Sequence, residues 1–323
     1  MMIAKKSEGI YIDDTISVND FDSIIFDCDG VLIDVTNSYD KVITKSTDLM
    51  LKQSTNNLDT IPVTAQIIDA FKKTGGFNDE VDLTYAAIIS LTAAYKLNKD
   101  GNEFIFQVIE NADQTGINSI DKYLDSLDVD ISDIRKKLDY PGRHSDSLLY
   151  SIFDQLFYGP ELYEKLFNKK SQFNEKGFIE YDNVIVTKEL LDNLKKRFND
   201  KIAIVTGRGI NSIRYSLKEL LEQFNVQNSV FLEDESRDLA KPNPEALLRS
   251  IRGLNTHHCI FVGDSMEDLI MAQKATEIGN KTTFCAIIGT SKEPTDKRKF
   301  FEKKGAALIL DSIQLLSKAL NLV

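Results

Sequence analysis

Short, unbroken apolar runs bounded by polar residues recur in two widely separated parts of the chain. The first is SIIF at 23–26. The others are IAIV at 202–205, VFL at 230–232, CIFV at 259–262, FCAII at 284–288 and ALIL at 307–310. Runs of this length without polar alternation suit strands buried on both faces, as in a parallel sheet. Between the later runs the apolar spacing changes to a helical period. TKELLDNLKKRF (187–198) puts Leu190, Leu191, Leu194 and Phe198 on one stripe; INSIRYSLKELLEQF (210–224), PEALLRSI (244–251), EDLIMAQKA (267–275) and SIQLLSKAL (312–320) behave likewise. Strand and helix alternating at this spacing predict βαβ units and an α/β fold with a doubly wound, Rossmann-like parallel sheet.

The first strand stands apart from the others. Residues 35–182 carry almost no strand signal and read as helices at 38–52, 63–73, 81–97, 103–112, 117–125, 131–138 and 146–167. The segment 81–97 has Leu83, Ala87, Leu91 and Ala94 on one face and Ala and Ile around much of the rest, so it is expected to be buried inside a bundle. The pattern predicts an α/β domain made of 1–34 and 183–323, interrupted by an α-helical domain at 35–182. The polar stretch NKKSQFNEKG (168–177) is the expected return hinge.

Composition narrows the partners. With 323 residues, 42% hydrophobic and 28% charged, the chain has enough apolar material for packed cores. Its net charge of −11 argues against a general binder of nucleic acid or anionic membrane, since both need a basic surface. A small anionic substrate needs only a local positive pocket. Cys28, Cys259 and Cys285 each sit in an apolar run with no CxxC pair, which suits reduced core thiols in the cytoplasm. The N-terminal MMIAKKSEGIYIDD lacks the apolar stretch of a signal peptide, and no apolar run is long enough to span a membrane.

Chemistry concentrates at four strand ends. In FDCDGVLID (26–34), Asp27 and Asp29 flank one residue and lead into Gly30. Ligands of open α/β sheets bind beyond the C-terminal ends of strands. Two acids this close repel unless a cation or a shared task holds them, and Mg²⁺ suits hard oxygen ligands. In IAIVTGRG (202–209), Thr206 and Gly207 offer a hydroxyl and main-chain N–H groups at a strand–helix junction, an anion cradle. AKPNPEALL (240–248) places Lys241 before a turn and a helix start, where it could meet a phosphate or a crowd of carboxylates. IFVGDSMEDLIMAQKA (260–275) ends a strand at Gly263 and Asp264, with Asp268 four residues on, in the first helical turn. Each feature alone has an ordinary alternative: a surface Asp-Gly turn, loop chemistry, a solvated lysine, an N-capping aspartate.

In this order the four resemble the haloacid dehalogenase superfamily, over residues 21–34 and roughly 183–323, and the helical insert resembles that family's α-helical cap. The resemblance implies roles. Asp27 matches the nucleophile that forms an aspartyl-phosphate, and Asp29 the general acid and base, with its main-chain carbonyl on the metal. Thr206 and Gly207 match the phosphate cradle. Lys241 matches the cation that offsets phosphate and nucleophile. Asp264 matches a Mg²⁺ ligand, and Asp268 a second carboxylate, direct or through water. An acid at position 29 favours phosphate-ester chemistry over carbon-centred dehalogenation. The expectation is a cytoplasmic, Mg²⁺-dependent phosphatase of a small phosphorylated metabolite. A phosphomutase of the β-phosphoglucomutase type and a non-catalytic metabolite sensor are the alternatives, and the chain could be a monomer or a homodimer.

The cap should choose the substrate, and it is longer than such caps usually are. FKKTGGFNDEVDL (71–83), a two-glycine loop carrying Lys73, Asn78 and Asp79, is a candidate substrate loop, with an ordinary helix–helix turn as the alternative. Together with DVTNSYDKVI (34–43) and LFYGPELY (156–163) it resembles a little-characterised phosphatase-like branch of the superfamily. Arg143 is a candidate contact for a substrate carboxylate. His144, His257 and His258 are expected to have a structural or solvent role; His257 and His258 have no acidic or cysteine partner at ligand spacing except Cys259.

Overall fold

The computed structural model describes residues 3–54, 61–77, 79–142 and 146–323. The chain forms two compact units, Met1–Thr36 with Asp182–Val323, and Asn37–Tyr181.

Among its described residues the first unit holds ten strands: β1 (Ile3–Ser7), β2 (Ile10–Asp13), β3 (Ser23–Phe26), β4 (Ile33–Asp34), β5 (Asn183–Val184), β6 (Ile202–Thr206), β7 (Val230–Phe231), β8 (Cys259–Gly263), β9 (Thr282–Ile287) and β10 (Leu308–Leu310). Eight form one sheet in the order β1-β2-β10-β9-β8-β3-β6-β7. Every pairing from β10 to β7 is parallel. The β1–β2 hairpin adds two antiparallel strands at the β10 edge. β4 and β5 form a separate antiparallel pair, Ile33 opposite Val184.

Alternate residues of the central strands feed opposite cores, as the two-residue period of a strand requires. Ile24, Phe26, Ile202, Ile204, Ile260 and Val262 pack in one. Ile25, Ala203, Val205, Cys259 and Phe261 pack in the other. All six apolar runs are strands, and the doubly wound α/β reading holds.

The helices of the inserted unit are α1 (Tyr39–Ser54), α2 (Ala65–Lys73), α3 (Glu80–Lys96), α4 (Gly101–Glu110), α5 (Ile117–Asp125), α6 (Ser132–Leu138) and α7 (Leu148–Phe167). Those of the sheet unit are α8 (Lys188–Phe198), α9 (Ile210–Leu217), α10 (Glu245–Gly253), α11 (Met266–Glu277), α12 (Pro294–Lys304) and α13 (Leu316–Ala319). Residues of α8, α9 and α13 join the first core, and residues of α10, α11 and α12 the second, so helices cover both faces. The α8 stripe of Leu190, Leu191, Leu194 and Phe198 is buried as its spacing predicts. Fully burying one such side chain is worth about 1.5–3 kcal/mol. α3 is buried on nearly every side from Val81 to Ala94 and packs against α1, α4 and α5.

Several expectations need correction. The hairpin β1–β2 and helix α12 were not anticipated. The segment 210–224 is not one helix: α9 stops at Leu217, where Lys218 takes a left-handed conformation (φ 49°), and a 3₁₀ segment follows. The segment 146–167 kinks at Gly159–Pro160, because Pro160 has no N–H to donate and Gly159 accepts φ 71°, ψ 172°. The stretch 168–177 folds within the helical unit, and the chain passes between units at 36/37 and 181/182.

Candidate active site

The motif residues meet at the C-terminal ends of β8, β3 and β6, three neighbours in the middle of the sheet. Asp27 directly follows β3 and its N–H donates to Val262 O of β8 at 2.8 Å. The chain then turns sharply, with the N–H groups of Leu32 and Ile33 donating to Cys28 O at 2.7 and 3.0 Å. Gly30 sits in this turn at φ +73°. A Cβ there would lie 2.5 Å from the Asp264 carboxylate, so only glycine lets the two loops approach.

Lys241 is the electrostatic centre. Its Nζ lies 2.8 Å from Asp27 Oδ1 and 2.7 Å from Asp268 Oδ1, with all three side chains buried. The Asp27 carboxyl is raised to about 7, first by burial, against the pull of Lys241 and with the Asp268 and Asp264 charges adding to the rise. Burial alone would depress the Lys241 ammonium, but Asp268 and Asp27 outweigh it and raise its pKa.

Asp268 has a second task. Its Oδ2 accepts from Ser265 Oγ at 2.7 Å and from the N–H groups of Ser265 and Asp264 at 3.1 and 3.2 Å. The Ser265 hydroxyl in turn accepts from Asp268 N, which closes a capping box at the start of α11. The capping alternative raised by the sequence is therefore real, and the same carboxylate serves both helix and cluster. On Asp264, Oδ2 accepts from Lys297 Nζ of α12 at 2.8 Å.

Asp27, Asp264 and Asp268 each offer a carboxylate oxygen within 4.8 Å of the others. These are hard oxygen donors, and their mutual repulsion is visible in the raised Asp27 carboxyl. The trio fits a magnesium ion. The Asp29 carboxylate lies outside this group. It is directed at Arg208, whose Nε stands 2.7 Å from Oδ1.

Thr206 ends β6 and is buried, and its Oγ1 accepts from Arg208 N at 3.4 Å. Gly207 is exposed, with no atom within 4 Å of where a Cβ would stand. An anion could therefore approach this main chain closely.

The structure thus brings Asp27, Lys241, Asp264 and Asp268 into direct contact, and sets Asp29, Thr206 and Gly207 on the same strand ends. Lys73 is exposed in the last turn of α2, in the helical unit. Asp79 caps α3, accepting from Val81 N at 2.8 Å. Asn78, Arg143 and His144 lie outside the described residues. His258 is buried, paired with Thr283 Oγ1 at 2.9 Å and edge-on to Phe21, a structural role as expected. Sequence reasoning gave no role to Arg208, Asp182 and Lys297. Their partners are distant along the chain, and no local pattern announces them.

A family model described as haloacid dehalogenase-like hydrolase matches residues 21–276. The chain is 29% identical over 145 residues to an imidazoleglycerol-phosphate dehydratase of Phytophthora nicotianae, taking in 42% of this chain and 31% of that protein. The match therefore spans only about a third of that relative. The chain is also 29% identical over 154 residues to the pyrophosphatase PpaX of Bacillus pumilus, with 44% of this chain and 68% of that protein covered. Among solved structures, a phosphatase from Thermococcus thioreducens superposes with a TM-score of 0.57 at 19% identity, covering 87% of this chain and 99% of that one. That likeness concerns the fold. Among the described residues no helix is long and apolar enough to cross a membrane.

Proposed function

This chain belongs to the haloacid dehalogenase-like hydrolase family, and we propose that within it the protein is a Mg²⁺-dependent phosphatase that hydrolyses a small phosphorylated metabolite through an aspartyl-phosphate. One observation carries the reading: a buried lysine bridges the carboxylate at the end of β3 to one in the first turn of α11, beside a third carboxylate and an open main-chain cradle. A structural salt bridge needs neither the third acid nor the exposed glycine.

Asp27 attacks phosphorus, the bond from phosphorus to the leaving oxygen breaks, and Asp29 gives that oxygen a proton. Asp29 then takes a proton from a water whose oxygen attacks the same phosphorus. The bond from phosphorus to the Asp27 oxygen breaks, releasing inorganic phosphate and restoring the Asp27 carboxylate and the protonated Asp29. The Thr206 hydroxyl and the Gly207 N–H hold phosphate oxygens. Lys241 stays protonated and offsets charge on Asp27 and phosphate. Magnesium held by Asp27, Asp264, Asp268 and the Asp29 carbonyl would supply the remaining positive charge.

The helical unit is assigned the choice of substrate, with Lys73, Asn78 and Arg143 as its candidate contacts. Three buried free cysteines suit a cytoplasmic setting. The test is phosphate release with Mg²⁺ across phosphoglycolate, sugar phosphates, amino-alcohol phosphates and, from the name of the Bacillus relative, inorganic pyrophosphate. We expect one compound to be turned over strongly, and Asp27→Asn and EDTA each to silence the reaction. Undiminished turnover by Asp27→Asn would refute the mechanism. Isomerised product without phosphate release would point to a mutase.

A further inference from the structure

Beside the carboxylate cluster lies a second chain of buried charges with no part in the reaction as described. Arg208 follows the cradle residues directly. Its Nε stands 2.7 Å from Asp29 Oδ1. Its other two nitrogens grip Asp182, Nη1 to Oδ2 at 2.6 Å and Nη2 to Oδ1 at 3.2 Å. Asp182 is steadied in turn by Ser216 Oγ of α9, which donates to Oδ2 at 2.8 Å. The Arg208 and Asp182 side chains are 1% and 3% exposed.

Burying such a set is costly, and apolar residues of similar size would fill the space at least as stably. A bidentate fork fixes the plane of a guanidinium, which a lysine in the same place would not do. The direction of Nε toward Asp29 is therefore set by Asp182, a residue 26 positions before Arg208 that immediately precedes β5.

We propose that Arg208, oriented by Asp182, is a positioning residue that holds the Asp29 carboxylate in its working direction. The proposal rests on the acid–base reading of Asp29 given above. Arginine remains protonated and has donors but no acceptor. That fixed charge stands 2.7 Å from Asp29 Oδ1. The guanidinium therefore anchors the Asp29 carboxylate in one direction while substrate and water come and go.

The test uses the full-length protein with Mg²⁺ and two substrates. An aryl phosphate releases a phenolate that needs no proton, and an alkyl phosphate releases an alcohol that does. Positioned general acids and bases contribute about 10²–10⁴-fold. Arg208→Gln should therefore lose roughly 100-fold in kcat on the alkyl ester. It should keep a near-normal first-turnover burst of phenolate, because formation of the aspartyl-phosphate then needs no acid. Added to Asp29→Asn, the same change should cause little further loss, since it acts through Asp29. Ser216→Ala, a gentler loosening of Asp182, should show the same substrate bias in weaker form, and serves if Arg208→Gln fails to fold.

Equal losses on both substrates in the burst phase, or a full additional loss in the double variant, would overturn the proposal and leave Arg208 a structural tie. If Asp29→Asn keeps full turnover of the alkyl ester, the acid–base reading itself fails and the proposal falls with it. If Asp29→Asn loses that turnover while Arg208→Gln and Ser216→Ala keep it, only the proposal falls.

Discussion

In metal-free protein, the substitution that should abolish turnover should also raise stability. Asp27 is the case. Its carboxyl is pushed up to about 7 in the folded protein from an ordinary 3.8, first by burial and then by the Asp268 and Asp264 charges, against the pull of Lys241. Each unit of difference is worth about 1.4 kcal/mol, so the ionised group weakens folding by about 4 kcal/mol above pH 7. The sign follows from which state releases the proton first. The unfolded chain ionises near pH 4 and the folded one near 7, so stability is intact below about pH 4 and falls as pH rises to about 7. Asparagine removes the charge together with its ion pair at 2.8 Å, whose pull the carboxyl near 7 already includes, while Lys241 keeps Asp268 at 2.7 Å. A net gain of up to about 4 kcal/mol remains, or roughly 8–16 °C in Tm for units of this size. The assay is thermal melting of wild type and Asp27→Asn in EDTA at about pH 8 and about pH 5, then with excess Mg²⁺. The gain should be clear at the higher pH, shrink at the lower, and narrow when Mg²⁺ offsets the wild-type charge. If Asp27→Asn melts at or below wild type at the higher pH in EDTA, the charge is not a burden and the electrostatic reasoning is wrong.

Two other outcomes test the surroundings. Lys241→Met leaves Asp27 and Asp268 buried without their shared cation and should cost about 3–5 kcal/mol in urea unfolding together with turnover; a fully active, equally stable variant would contradict the site. Asp22 braces the turn before β8, accepting from the Thr256 hydroxyl and, at 3.0 Å each, from the N–H groups of His257 and His258, with Lys201 at 3.4 Å. Burial opposes ionisation there, but these donors win and hold the carboxyl near 2. A depressed carboxyl contributes above about pH 4 and loses its effect as pH falls toward 2. With the side chain 31% exposed, Asp22→Asn should cost about 1 kcal/mol in urea unfolding at neutral pH and less at about pH 3; a gap that does not narrow would refute the assignment.

The central strands were legible because a parallel strand covered on both faces reads as an unbroken apolar run, and 23–26, 202–206 and 259–263 carry that signal. Two elements were not. The β1–β2 hairpin mixes Lys5, Lys6 and Ser7 with its apolar residues, since it sits at the sheet edge. In α12 only Phe301 is buried, so no stripe exists to count; Pro294 at its start and Gly305 just past its end (φ 86°) were the available signals. The interruption at Lys218 escaped because a periodic pattern runs through a break that backbone geometry alone creates, whereas the Gly159–Pro160 pair was a readable signal inside the 146–167 pattern. The site divides in the same way. Asp27, Asp29, Thr206, Gly207 and Asp264 sit at or next to strand ends, so finding the strands located them. Lys297 and Asp182 reach their partners from 33 and 26 residues away, and only the fold makes such pairs neighbours.

The charges at the site explain why a cation belongs in the proposed reaction. Asp27, Asp264 and Asp268 bring three negative charges when ionised, and Lys241 and Lys297 return two positive ones. The remaining deficit faces a phosphate that brings about two more negative charges. At about 4 Å and an effective dielectric constant of about 20, each uncompensated pair of like charges costs about 4 kcal/mol. A phosphate held by the Thr206 hydroxyl and the Gly207 N–H would therefore be repelled by the nucleophile it must approach. A divalent cation on the three carboxylates reverses the local sign. It also favours the ionised Asp27 that attack requires, against the burial that raises its carboxyl to about 7. The pressure that makes Asp27 a burden on metal-free folding is thus the one that makes the loaded site attractive to an anion.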